Sequence, residues 1–86
     1  MTQPAAHHWR VFDGELAILE LSDRPGPIIS TAPLPPGQAP ATHPFLSATA
    51  LDAGHEDQLR QLLERSHDVA EFRAALATAG FRVVAE

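Results

Sequence analysis

The sequence contains no cysteine and no lysine, and its 11 acidic residues outnumber its 6 basic ones. Without cysteine there is no disulfide framework, no thiolate nucleophile and no sulfur-ligated metal site. The basic residues are all arginine, scattered along the 86 residues, and the formal net charge is -5. Affinity for a phosphate backbone is built from clustered Lys and Arg, so no nucleic-acid partner is expected. An anionic membrane surface is disfavoured for the same reason. No apolar run approaches the ~20 residues that a spanning helix needs. The amino terminus, Met1 to His8, has neither a positive nor an apolar segment, so no signal peptide is expected and the expected location is cytoplasmic. The 5 glycines are isolated from one another, which leaves no phosphate-cradling loop.

A further absence is internal. From Pro25 to Leu51 there is no Asp, Glu, Lys or Arg, while seven of the 8 prolines fall there. Proline removes backbone donors and fixes φ, so no long strand or helix is expected through Pro33–Pro44, and extended polyproline-II character is. A loop of this length is uncommon inside a small domain. Either it is a mobile linker or binding segment, or its apolar residues Ile28, Ile29, Leu34, Phe45 and Leu46 lie down on the rest of the fold. Solvated linkers carry more charge, Ser or Gly than this, which favours partial ordering. Ile28–Thr31 and Phe45–Thr49 are then short extra strands. Pro33-Leu-Pro-Pro has the look of a polyproline ligand, but a stiff connection explains it as well.

Ahead of that segment, Asp13-Gly14 separates two extended apolar runs, a strong hairpin signal. We read His8–Phe12 and Glu15–Leu21 as the arms, closed by a two-residue type I′ turn. That loop sets Phe12 opposite Glu15, Val11 opposite Leu16, Arg10 opposite Ala17, Trp9 opposite Ile18 and His8 opposite Leu19. Alternation places Trp9, Val11, Leu16 and Ile18 on one face, the expected core face. The other face carries Phe12, Ala17, Leu19 and Leu21 among His8, Arg10 and Glu15. Its apolar residues need a cover, either the Pro-rich segment or another chain.

Helical signals begin near Asp52, which offers an N-cap. Leu59, Leu62 and Leu63 form an apolar stripe, with Glu56 and Arg60 at the favourable i,i+4 spacing, so the first helix is expected at about 55–66. Asp68 and Glu71 have the capping-box spacing, which predicts a second helix over Val69–Ala79 with Val69, Phe72, Leu76 and Ala79 facing the core. Gly80 then suits the left-handed C′ position, and Phe81 packs back on Leu76. Phe81–Glu86 reads as a closing strand with Phe81, Val83 and Ala85 on one side. The small residues Ala70, Ala74 and Ala77 flank the helix core face and permit a close approach. The expected fold class is α+β: a small two-layer sandwich, the N-terminal β-hairpin plus C-terminal strand in one sheet with two helices on one face. Residues 1–7 are expected to be a disordered lead-in to a single domain over 8–86, with its Pro-rich segment at 25–46.

No chemistry-bearing constellation emerges. No pair among the 5 histidines has the i,i+3 or i,i+4 spacing of helical metal ligands. Ser66-His67-Asp68 contains the residue types of a catalytic triad, but adjacent residues cannot form its relay. Glu56 and Asp57 suit the first turn of a helix through the macrodipole. A helix-turn-helix would lead into the groove with the carboxylates of Asp68 and Glu71, which phosphates repel. No catalytic, cofactor-binding or metal-binding residue is therefore assigned, and no cofactor.

The expectation is a non-enzymatic, acidic protein-interaction module of the adaptor, inhibitor or antitoxin-like kind. It self-associates as a homodimer, with Phe12, Ala17, Leu19 and Leu21 as its interaction surface. The alternative is a small regulatory domain holding a small-molecule ligand between sheet and helices. A flat exposed apolar patch favours the first reading; a cleft with polar side chains from both sheet and helix favours the second.

Overall fold

Gly14 has φ +62°, and the N-terminal hairpin closes around it. In the computed structural model, which describes residues 7–86, strand β1 (His8–Asp13) runs antiparallel to β2 (Leu16–Ser22). Asp13 pairs with Leu16, so the loop is Gly14-Glu15, one residue later than expected. Positive φ occurs at Gly14 but at no non-glycine described residue, the pattern of a type II′ turn, not type I′. Glu15 carries a Cβ and keeps out of the left-handed region that a type I′ turn would demand.

The expected register is corrected throughout. Phe12 pairs with Ala17, and the ladder then shifts by one, so that Val11 meets Leu19, Arg10 meets Glu20, Trp9 meets Leu21 and His8 meets Ser22. Ile18 is the extra residue of a β-bulge. A single inserted residue inverts the face of everything beyond it. Ile18 and Leu19 accordingly both turn inward, at 0% and 4% exposure. Leu16, expected in the core, lies at the hairpin tip and is 51% exposed. Trp9 is half-buried against the core and covered by the Arg73 guanidinium, 4.5 Å from the ring centroid.

The Pro-rich segment holds two short strands, β3 (Gly26–Ile29) and β4 (Ala41–His43), and a third, β5 (Ser47–Ala50), follows it directly. Two lie within two residues of the expected extra strands; β4, between Pro40 and Pro44, was not expected. Pro27 is tolerated in β3 because the parallel pairing with β5 begins only at Ile28, so its missing N–H costs no bond there. Ala53–His55 forms a 3-10 turn, followed by α1 (Glu56–Glu64), α2 (Val69–Thr78) and β6 (Arg82–Ala85). Among the described residues the sheet has six strands in the order β4-β3-β5-β2-β1-β6, antiparallel except for β3 against β5.

The α2 boundaries follow the local signals closely. The Asp68 carboxylate accepts from Glu71 N at 2.8 Å, while Glu71 reaches back one residue further than a capping box requires, to His67 N at 3.2 Å. At the other end Gly80 has φ +98°, Phe81 N donates to Leu76 O and Gly80 N to Ala77 O, both at 3.0 Å. That is a Schellman ending, with Phe81 and Leu76 both buried. Leu59 from α1 and Phe72 and Leu76 from α2 meet Val11, Ile18, Leu19 and Leu21 in the core, with Leu46 beside them. Ala79 is exposed, and so are Ala70, Ala74 and Ala77. Of the expected lead-in only His7 is described; its carbonyl accepts from Asp23 N at 3.2 Å, extending the hairpin ladder, and residues 1–6 lie outside the described residues. No described helix is long and apolar enough to cross a membrane.

Candidate interaction surface

The four residues expected to form one patch are divided by the bulge. Leu19 and Leu21 are 4% and 3% exposed and belong to the core, whereas Phe12 and Ala17 are half-buried opposite each other on the second face. The expected patch is thus corrected: its two largest aliphatic members are already covered by the chain's own helices. The one-residue slip moved them, not a loop folded over them.

What occupies the second face is a balanced array of charges with apolar residues between. Arg10 Nη2 lies 2.8 Å from Glu20 Oε1, across the β1–β2 pair. Glu86 Oε1 is 3.1 Å from Arg10 Nε, near enough for charge pairing but poorly directed for a hydrogen bond. The Arg82 guanidinium lies over the Phe12 ring, 4.8 Å from its centroid. Val84, paired with Arg10 on β6, is 38% exposed among them. Such exposed pairs add little stability, about 0–1 kcal/mol each. They set two carboxylates on Arg10, while Arg82 has an aromatic ring against it.

The two edges of the sheet differ. The β4 edge is three residues long and is bracketed by Pro40 and Pro44, devices that discourage another strand from adding. The β6 edge, Arg82–Ala85, has no proline and no irregularity in its pairing with β1. Its alternation was legible in the sequence, but its place at the end of the sheet was not.

His55 is held from both of its ring nitrogens. Its Nδ1 bonds Asp52 Oδ2 at 2.5 Å, its Nε2 bonds Asp13 Oδ2 at 2.8 Å, and its ring meets Phe81 edge-on at 5.8 Å. Hydrogen bonds to Asp52 and then Asp13, against the opposing effect of burial, hold the imidazole above its ordinary value near 6.5. An imidazolium donating from both nitrogens ties the hairpin turn to the entrance of α1. The carboxylates lie on opposite sides of the ring, so the three groups do not converge on one point as metal ligands must. The Asp52–His55 spacing of three is visible in sequence; the link to Asp13, 42 residues away, has no local signal.

Ser66, His67 and Asp68 each serve the junction between the helices. Ser66 Oγ donates to Leu62 O at 2.9 Å, the His67 ring pairs with Glu71 at 3.0 Å, and Asp68 caps α2. Glu56 does not pair with Arg60 as expected, because its carboxylate accepts from Thr31 N, and Arg60 approaches Asp57 at 3.8 Å instead. Beneath these two side chains a recess of about 70 Å3 opens between α1 and the sheet, lined by Leu19, Ile28, Ala48, Ala50, Leu59 and Phe72. Ala48 and Ala50 leave this space because a methyl group reaches less far from the sheet than the Leu side chains of β2. No model of a known protein family, no curated protein and no solved structure matches the chain.

Proposed function

We propose that this protein is a non-enzymatic interaction module that associates with protein, its own copy first. The observation that carries this reading is the asymmetry of the sheet. One face is packed by both helices, the other has no helix against it among the described residues, and one of the two edges, β6, carries no proline. Natural sheets blunt their edges unless something pairs with them. Sedimentation velocity between about 10 µM and about 1 mM tests it, a range that brackets weak association. The expected outcome is a sedimentation coefficient that rises with concentration toward a dimer. A single monomeric species throughout contradicts self-association.

A second reading, a small ligand held between sheet and helices, draws on the recess beside α1. Its polar groups, Glu56 and Arg60, come from the helix alone, and the sheet contributes only apolar side chains. Ligand sites are built from polar groups converging on one point, so the interaction reading is favoured.

A further inference from the structure

Among the described residues, the main chain of β6 is used on one side only. Glu86 N donates to His8 O at 2.8 Å, and antiparallel alternation gives Val84 and Arg82 the same bonded role against Arg10 and Phe12. Val83 and Ala85 sit at the non-bonded positions opposite Val11 and Trp9. Their N–H and C=O groups therefore point away from β1, past the last strand of the sheet, and neither makes another main-chain bond among the described residues.

We propose that β6 pairs antiparallel with β6 of a second copy, about a two-fold axis through Val84, joining the two sheets edge to edge. This rests on the self-association reading and names its surface and register. The register follows from the outward groups. A ladder that sets Val83 opposite Ala85 of the partner subunit, and the reverse, gives all of these groups a partner. Centring the axis on Val83 sets Ala85 opposite Phe81 of the partner subunit, whose N–H is already given to Leu76 O, and centring it on Ala85 sets Val84 opposite Glu86 of the partner subunit.

The same register aligns the side chains. Arg82, Val84 and Glu86 share the open face, since alternate residues of a strand do. With the axis at Val84, its exposed side chain meets its own copy, and Arg82 falls opposite Glu86 of the partner subunit, twice. Neither of the other two registers brings these opposite charges face to face. Glu86 is available because its present contact with Arg10 is poorly directed, and Arg10 already holds Glu20. A two-fold pairing is closed, so the edge is consumed and does not template a fibre. Four main-chain bonds and two ion pairs on so short an edge make a reversible dimer, smaller than obligate interfaces.

The absence of cysteine makes the register directly testable. Val84→Cys introduces one thiol per chain, and across the axis the pair is non-hydrogen-bonded, with Cα atoms about 4.5 Å apart, inside the span of a disulfide. Mild oxidation is expected to convert this variant largely to a covalent dimer, while Thr42→Cys on the β4 edge stays monomeric. Ala85→Pro removes an outward N–H that β1 does not use, so it should abolish the sedimenting dimer with the melting curve retained. Arg82→Glu should weaken association about fivefold, and adding Glu86→Arg should restore it. If the wild type dimerises but Ala85→Pro does too, and Val84→Cys crosslinks no faster than Thr42→Cys, the edge register is overturned and self-association stands. A wild type that is monomeric at every concentration overturns both.

Discussion

The two ends of the sheet are built differently. At the β6 end, short-range chain contacts do most of the work: α2, its Schellman ending and β6 follow one another within a few residues, and Phe72, Leu76 and Phe81 are all buried. At the β4 end, strands of three and four residues drawn from the Pro-rich segment add to the sheet, β3 against β5 and β4 against β3, and Ile29 and Leu34 are left exposed. The firmly built end carries the unguarded edge, and the lightly built end carries the guarded one. An open edge is useful for specific pairing only if the strand presenting it is held in one place. A loosely held strand needs proline and brevity to keep it from pairing indiscriminately.

The contrast can be broken or sharpened by substitution. Leu76→Ala should have the largest effect, destabilising by roughly 2–5 kcal/mol in urea unfolding, as buried Leu truncations do. A loss below about 0.5 kcal/mol, the level of an ordinary surface change, would remove the basis for calling the β6 end firmly packed. Gly80→Val should come next, at about 1–3 kcal/mol, because a β-branched residue resists the left-handed conformation that Gly80 adopts. Gly80→Asn, which tolerates that region, should recover part of the loss.

A smaller effect is expected from pH. Because the folded-state pKa of His55 is raised by Asp52 and Asp13, its contribution to stability is complete below the ordinary value near 6.5 and is lost as pH rises through the folded value. Stability measured by denaturant from pH 6 upward should therefore fall through this group, and His55→Asn should flatten that slope. An unchanged slope in the variant would assign the pH dependence elsewhere. Ile29→Ser at the β4 end should matter least, within about 0.5 kcal/mol in thermal or urea unfolding. A cost comparable to that of Leu76→Ala would erase the difference between the two ends.

How much of this was legible depends on distance along the chain. Asp68, Glu71, Gly80 and Phe81 act on neighbours a few residues away, and the α2–β6 unit could be read from them nearly to the residue. The hairpin was legible as a hairpin, but its register was not. The apolar run Ala17-Ile18-Leu19 reads equally as a strand covered on both faces and as a bulge that sends two consecutive residues into one core. Packing against Phe72 and Leu76 on elements far along the chain decides between them. Both the parallel pairing of β3 with β5 and the edge position of β6 are properties of the assembled sheet. The expected patch was divided for this reason: Leu19 and Leu21 changed face with the bulge, while Arg82, Val84 and Glu86 showed their alternation but not their exposure at an edge.

Amide hydrogen exchange followed residue by residue at low and high protein concentration tests the central claim most directly. In the isolated chain the amides of Val84 and Glu86 are bonded to β1 and should exchange slowly, while those of Val83 and Ala85 face outward and should exchange near their free rates. Raising the concentration should protect Val83 and Ala85 together and leave Thr42 on the β4 edge unchanged. Exchange at Val83 and Ala85 that stays fast while the protein sediments as a dimer would contradict the edge-to-edge account.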